Sequence, residues 1–159
     1  MKIAYLSLGS NLGERERALR EAIARLEAPS LKVLRVSSFY ETAPQDFRDQ
    51  PWFLNAVVEV ETGLFPKQLL ARIARIELAM GRKRLQPKGP RIIDIDILLY
   101  GSSIVAAPEL TIPHPGLAAR RFVLEPLAEL APELRHPVTK RTVREMLAGV
   151  GDQAVRRLP

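Results

Sequence analysis

Two acidic residues, Asp94 and Asp96, carry the sharpest chemical signal in the sequence. They lie in the run from Ile92 to Tyr100, whose apolar alternation predicts a strand. Residues two apart on a strand share a face, so both carboxylates should point away from the core. Adjacent carboxylates repel each other unless a cation lies between them, and their hard oxygens suit Mg²⁺ together with substrate phosphates. Taken alone, the pattern fits an ordinary solvated strand face at least as well.

A basic segment directly before this strand changes that balance. It contains Arg82, Arg84, Lys88 and Arg91. Cations beside paired acids can form surface ion pairs of little energetic value. They can also clamp phosphate oxygens while the acids hold Mg²⁺. Because the basic segment adjoins the paired acids, we favour the clamp.

A second candidate site lies on an earlier strand, predicted over residues 53–61. Phe53 and Asn55 share the face opposite the apolar residues Leu54 and Ala56. An aromatic ring beside an amide suits a flat polar heterocycle, which it can stack on and hydrogen-bond. Phe122 is a candidate for a second aromatic wall. An aromatic residue that is merely covered by the nearby long loop explains the pattern equally well.

Two further segments carry weaker signals. Gly9–Gly13, between a predicted strand and a predicted helix, lacks the lysine and the glycine spacing of phosphate-binding loops. A tight turn in which Asn11 caps the helix explains it better, although Asn11 stays open as a ligand contact. His114 lies between two prolines shortly before Arg120. A lone histidine in a turn is usually structural, and only the local basic charge favours a phosphate contact.

The pattern of elements predicts one α+β domain over residues 1–159. Strands are expected at 3–8, 31–40, 53–61 and 92–100, with helices at 14–27 and from 66 to 81. This order is that of the ferredoxin-like split βαβ sandwich. It predicts a mostly antiparallel sheet with both helices on one face and the other face left for a site. A C-terminal extension with short helices at 122–130 and 142–147 must pack on this unit.

Composition limits the chemistry. The chain has 159 residues, no cysteine and two histidines, which excludes thiol catalysis, cysteine–zinc sites and a histidine-rich metal centre. The net charge of +6 favours an anionic partner such as a nucleotide or phosphate. Neither a signal peptide nor an apolar run of membrane-spanning length is visible. We therefore expect a cytoplasmic protein without a membrane partner, and we also expect a monomer.

Several linked motifs resemble the 6-hydroxymethyl-7,8-dihydropterin pyrophosphokinase family of folate biosynthesis. The resemblance extends over nearly the whole chain, and the set is specific although each piece alone is not. The matching segments are Leu6–Gly13, Ser37–Thr42, Phe53–Ala56, Arg75–Leu78, Gly89–Asp96 and Ile112–Pro115.

The resemblance implies transfer of the β,γ-pyrophosphoryl unit of ATP to the hydroxymethyl oxygen of the pterin, with release of AMP. It implies that Asp94 and Asp96 hold two Mg²⁺ ions and that, with Arg82 and Arg91, they form the catalytic group. The pterin would be held by Thr42, Pro44, Phe53, Asn55 and Phe122. ATP would be bound by Glu77, Arg82, Arg84, Arg91, Ile97, Thr111, His114 and Arg120.

Two alternatives remain from the residues themselves. An RNA-binding module of similar topology fits the positive charge and the strand Tyr5–Leu8, but the companion aromatic motif of such modules is absent. A non-catalytic nucleotide sensor of ferredoxin-like fold is the other alternative. Asp94 and Asp96 argue against both, because carboxylates repel RNA and a sensor needs no second metal. We therefore expect no nucleic-acid partner.

Overall fold

The computed structural model describes residues 1–44, 49–82 and 90–159, and it has the expected α+β architecture. The helices of the described residues are α1 (Arg15–Leu26), α2 (Pro66–Ala79), α3 (Arg121–Leu130) and α4 (Val143–Ala148), with a short 3₁₀ turn at Leu117–Ala119. The strands there are β1 (Lys2–Ser10), β2 (Leu31–Val36), β3 (Tyr40–Thr42), β4 (Phe53–Thr62), β5 (Asp94–Tyr100), β6 (Val105–Ala107), β7 (Leu110–Ile112) and β8 (Val155–Arg157).

The main sheet runs in the order β5-β1-β4-β3-β8, with β2 also paired to β4. The pairings β1–β4, β1–β5 and β2–β4 are all antiparallel, as two interlocked split βαβ units require. β1 lies in the middle of this arrangement, and it is buried from Ala4 to Ser10. Its nearly continuous apolar run is the sequence pattern of a strand covered on both faces.

One face of the sheet carries α1 and α2, as predicted. Leu6 and Leu8 of β1 pack there with Leu54 of β4 and with Leu19 and Ile73 of the two helices. The apolar stripe predicted for α2 is buried at Leu69, Ile73 and Ile76. This core is the platform that holds the opposite face of the sheet in a fixed register.

The opposite face is only partly free, because the C-terminal extension covers one end of it. Leu124 and Leu127 of α3 and Met146 of α4 pack there against Tyr5 and Val57 of the sheet. The short helices predicted at 122–130 and 142–147 therefore exist, and together they form a second core. The uncovered end of this face lies around the start of β5.

Two details of the strand predictions are wrong for local reasons. Strict alternation along β5 would place Leu99 on the same face as Ile97, but a register shift opposite Tyr5 and Leu6 turns Leu99 into the second core. The strand predicted over 31–40 is broken in two. Ser37 is the cause, since its Oγ accepts the Val57 N–H at 2.9 Å and so replaces a backbone acceptor.

None of the helices within the described ranges has the length and apolar character needed to cross a bilayer.

Candidate functional site

A transverse row of residues on the uncovered end of the sheet forms the frame of the site. Gly9 of β1 pairs with Asn55 on one side and with Asp94 on the other, and Ser7 pairs with Asp96. Residues directly opposite each other in an antiparallel sheet share a face. Two strand spacings of roughly 4.8 Å place Asn55 and Asp94 about 10 Å apart. The predicted heterocycle site and the predicted carboxylate pair therefore lie on one surface.

The carboxylate of Asp94 is held between two guanidinium groups. Its Oδ1 lies 3.0 Å from Arg82 Nη1, and its Oδ2 lies 2.9 Å from Arg91 Nη1. All three side chains are about four-fifths buried, so these ion pairs are less screened than surface pairs. The predicted contact between acidic and arginine side chains is thus present for Arg82 and Arg91. Arg84 and Lys88 lie outside the described residues.

Glu77 of α2 binds both β5 and Arg82. Its Oε2 accepts the Ile95 N–H at 2.8 Å and a hydrogen bond from Arg82 Nη1 at 2.7 Å. Burial raises the pKa of Glu77, while the hydrogen bond from Ile95 and the charge of Arg82 oppose that rise. Glu77 therefore fixes the start of β5 and one arginine at the same time. Its expected contact with a nucleotide stays a prediction.

Asp96 is the least compensated carboxylate in the described part of the site. Burial raises its pKa to about 7, and the neighbouring charges of Asp94 and Glu77 add to the effect. The charges of Arg120 and Arg82 lower it only in part. A cation bound beside Asp96 would relieve the same repulsion, so the donor set suits a hard divalent ion.

The described residues offer few metal ligands. Across residues 1–44, 49–82 and 90–159, no group of three or more His, Cys, Asp or Glu side chains is placed to hold a metal ion. Any ion at Asp94 and Asp96 would need further oxygens from a substrate or from water. Mg²⁺ commonly binds in this way, through one or two carboxylates plus phosphates.

The outer edge of β5 presents backbone groups to the segments around it. Ile95 directs its N–H outward to Glu77, and strand alternation directs the N–H and C=O of Ile97 to the same edge. The backbone of His114 is bound farther along this edge, through its N–H to the Leu98 carbonyl at 3.0 Å. Thr111 lies exposed on β7.

His114 and Arg120 are both held by local contacts. His114 Nδ1 accepts the Gly116 N–H at 3.0 Å, and burial, then the charge of Arg120, lowers the pKa of the imidazole. The guanidinium of Arg120 lies over Gly116, where an added Cβ would come within 2.5 Å of Arg120 Nε. The same guanidinium is 5.7 Å from the centre of the Phe122 ring. The arginine therefore links the β5 edge to the aromatic residue of α3.

The heterocycle side of the row is polar, buried and close to the backbone. Asn55 Nδ2 donates a hydrogen bond to Thr42 Oγ1, and both side chains are nearly inaccessible to solvent. Asn55 Oδ1 lies over Gly9, where an added Cβ would be 2.6 Å away. The Phe53 ring is 5.6 Å from the guanidinium carbon of Arg91. The absence of a side chain at Gly9 therefore allows the Asn55 amide to lie directly against β1.

Pro44 and Phe122 flank this region from two other segments. Pro44 is buried two residues after Thr42. Phe122 is half-buried in the first turn of α3, and its N–H donates to Gln153 Oε1 at 3.1 Å. The structure brings the segments of all five predicted heterocycle contacts to one end of the sheet. That Phe53 and Phe122 stack on opposite sides of a ligand stays a prediction.

Sequence reasoning missed the role of Asn11. Its backbone N–H donates to the Arg91 carbonyl at 3.1 Å, and its Oδ1 accepts the Arg91 N–H at 2.9 Å. Its Nδ2 donates to Gln50 Oε1 at 2.7 Å and to the Pro51 carbonyl at 3.0 Å. The helix-cap prediction is wrong, because α1 begins at Arg15 without a side-chain cap. Asn11 instead joins the segment before β4 to the segment before β5.

Asn11→Ala should destabilise the fold by about 2–4 kcal/mol. The reason is that the substitution removes the Oδ1 acceptor of the Arg91 N–H and the Nδ2 donor to the Pro51 carbonyl, in a region where Asn11 is 1% exposed. Urea unfolding, with the exposed Leu12→Ala variant as control, measures the difference. A loss below about 0.5 kcal/mol, no larger than that of an ordinary surface substitution, would show that these bonds are readily replaced.

Asp96→Asn should stabilise the metal-free protein, and the gain should grow with pH. The folded-state pKa of about 7 lies above the unfolded value of 3.8, so the wild-type protein loses stability as pH rises through this interval. The amide cannot ionise and escapes this loss. Thermal unfolding in EDTA at pH 5 and pH 8, with the exposed Asp152→Asn as control, tests the prediction. An equal gain at both pH values would contradict it.

Sequence comparisons relate this chain to one family of known proteins. Residues 5–132 match the family model described as 7,8-dihydro-6-hydroxymethylpterin-pyrophosphokinase. The chain is 43% identical over 159 residues to a 2-amino-4-hydroxy-6-hydroxymethyldihydropteridine pyrophosphokinase of Methylorubrum extorquens, covering 99% of each chain. It is also 43% identical over 152 residues to the folic acid synthesis protein fol1 of Pneumocystis carinii.

Some relatives are much longer than this chain. The match with fol1 covers 96% of this chain but 20% of that protein. A crystal structure of HPPK-DHPS from Plasmodium falciparum has a TM-score of 0.71 at 20% identity, covering 93% of this chain and 43% of that one. The structural likeness shows the shared fold, and the sequence matches show the family. This chain belongs to the 7,8-dihydro-6-hydroxymethylpterin-pyrophosphokinase family.

Proposed function

We propose that this chain transfers the pyrophosphoryl group of ATP to the hydroxymethyl oxygen of 6-hydroxymethyl-7,8-dihydropterin and releases AMP, as a step of folate biosynthesis. Family membership supports the reaction class. The observation that carries the proposal is the row Asn55–Gly9–Asp94, which sets a buried amide and a carboxylate–arginine cluster on one face of the sheet. A heterocycle and a polyphosphate fit these two ends, with the reacting atoms between them.

The pterin end is assigned to Thr42, Pro44, Phe53, Asn55 and Phe122. The bond from Asn55 to Thr42 fixes the orientation of the amide before a ligand arrives, which lowers the ordering cost of binding. Gly9 removes the side chain that would otherwise fill the space beside that amide. The aromatic rings supply stacking area for a flat bicyclic ligand.

The nucleotide end is assigned to the outer edge of β5 and the cations around it. The outward backbone groups of Ile97 and the exposed Thr111 would contact the base, with Glu77 nearby. Arg82, Arg84, Arg91, His114 and Arg120 would bind the phosphates. Arg82 and Arg91 already lie beside Asp94, so a polyphosphate needs only to exchange one anionic partner for another.

Asp94 and Asp96 would hold Mg²⁺, two ions in the arrangement that the family resemblance implies. Bound there, the metal supplies charge neutralisation of the polyphosphate and stabilises the negative charge that builds on the transferred group. The raised pKa of Asp96 and the small protein donor set support this assignment.

In the proposed reaction the pterin hydroxyl oxygen forms a bond to the β-phosphorus of ATP. The bond between that phosphorus and the α,β-bridging oxygen breaks, AMP leaves with the oxygen, and the hydroxyl proton passes to solvent. No His, Cys or Lys side chain lies among the proposed pterin residues. Most of the rate enhancement therefore comes from the orientation of the two substrates and from the fixed charges of Arg82 and Arg91.

The remaining features of the proposal concern the whole molecule. We regard residues 1–159 as a single pterin pyrophosphokinase domain that acts as a monomer in the cytoplasm. Its partners are the two substrates, and neither a nucleic acid nor a membrane is among them. The carboxylates on the open face of the sheet disfavour RNA there, because they repel its phosphates.

Product analysis tests the proposed reaction. We expect AMP and a diphosphorylated pterin in equal amounts when the protein is mixed with ATP, Mg²⁺ and 6-hydroxymethyl-7,8-dihydropterin. Asp94→Asn should lower turnover by at least about 10²-fold, in the range of losses that follow removal of a group acting on developing charge. The exposed Asp152→Asn is the matched control. ADP as product, or AMP formed independently of the pterin, would contradict the proposal.

A further inference from the structure

The chain beyond residue 132, where the match to the family model ends, returns to the pterin end of the sheet. β8 pairs with β3, so that Val155 lies opposite Thr42 and Arg157 lies opposite Tyr40. The Leu158 N–H also donates to the Phe39 carbonyl at 2.8 Å. A segment outside the matched region therefore forms the edge of the sheet next to a proposed pterin contact.

Gln153, just before β8, bridges the two flanks of that site. Its Oε1 accepts the Phe122 N–H at 3.1 Å, and its Nε2 donates to the Ala43 carbonyl at 2.8 Å. The neighbouring Ala154 carbonyl accepts the Ala43 N–H at 3.0 Å. One amide thus connects the first turn of α3 to the residue between Thr42 and Pro44.

Both groups that Gln153 binds need a partner from outside their own element. The first N–H groups of a helix have no acceptor within it, and Arg120 provides no side-chain cap for α3. Ala43 lies just past the end of β3. Since one group is a donor and the other an acceptor, an amide is the neutral side chain that satisfies both.

We propose that Gln153 is a positioning residue for the pterin, because it sets the spacing between Phe122 and the Thr42–Pro44 segment. This inference rests on the proposed function, which places the pterin between those two flanks. Gln153 does not need to touch the ligand. It acts by holding an aromatic wall and a polar wall at a fixed separation, so that binding does not have to order them.

The contact is separable from the anchoring of the C-terminal segment. β8 keeps its backbone pairing with β3, and Arg156 forms an ion pair with Glu41. Arg157 lies 3.8 Å from Glu129 of α3. Loss of the Gln153 amide would therefore leave the segment in place and loosen only the link between Phe122 and Ala43.

Gln153→Met keeps the length of the side chain and removes both hydrogen bonds. We expect the dissociation constant of the pterin to rise about 10-fold, because binding would then have to order the two flanks, at roughly the cost of immobilising one or two side chains. The dissociation constant of a non-hydrolysable ATP analogue should stay within about twofold of the wild-type value. Calorimetric titration of each ligand, with Asp152→Asn as neighbouring control, measures both.

Gln153→Glu provides a second, independent variant. It keeps an acceptor for the Phe122 N–H and loses the donor to the Ala43 carbonyl, so α3 stays capped. We expect weaker pterin binding with unchanged affinity for the ATP analogue. This variant keeps the test decisive if the methionine variant folds poorly.

Three results would overturn the inference. Unchanged pterin affinity in both variants would show that the bridge has no effect on binding. An equal loss of pterin and nucleotide affinity, accompanied by a lower melting temperature, would show a general structural role. Failure of the wild-type protein to bind the pterin at all would overturn the proposed function as well, and this result differs from the other two.

Discussion

Repulsion between two carboxylates that strand geometry places on one face is the constraint on which the rest of the site depends. Asp94 and Asp96 cannot turn away from each other without breaking the alternation that buries Ile95 and Ile97. The fold therefore surrounds them with cations, and Arg82 and Arg91 bind Asp94 directly. Ionised Asp96 keeps a residual electrostatic cost, which raises its pKa. A bound cation would relieve this cost.

The elements around this pair serve to hold its counter-charges in place. Glu77 fixes Arg82 and the start of β5, while Asn11 fixes the backbone of Arg91. The C-terminal extension covers the far end of the same face with apolar side chains and confines the polar surface to one end of the sheet. The two cores thus supply stability, and the carboxylates that repel each other lie where ligands would bind.

Much of the fold and of the site follows from sequence periodicity, and the failures have local causes. Alternation correctly assigned the faces of β4 and the positions of Asp94 and Asp96, because strand period is a property of the backbone. The bulge that turns Leu99, the break at Ser37 and the role of Asn11 depend on hydrogen bonds between distant segments. Gln153 gave no sequence signal, since a glutamine near a chain end is typical of a solvated surface.

We expect the Asp94–Asp96 pair to bind a nucleotide only together with a divalent cation. The most direct measurement is calorimetric titration of a non-hydrolysable ATP analogue into the wild-type protein and into Asp96→Asn, with Mg²⁺ and with EDTA. We expect binding to the wild-type protein that is at least about 10-fold tighter with Mg²⁺ than with EDTA, and loss of that difference in the variant. Equal affinity in Mg²⁺ and EDTA for the wild-type protein would contradict it.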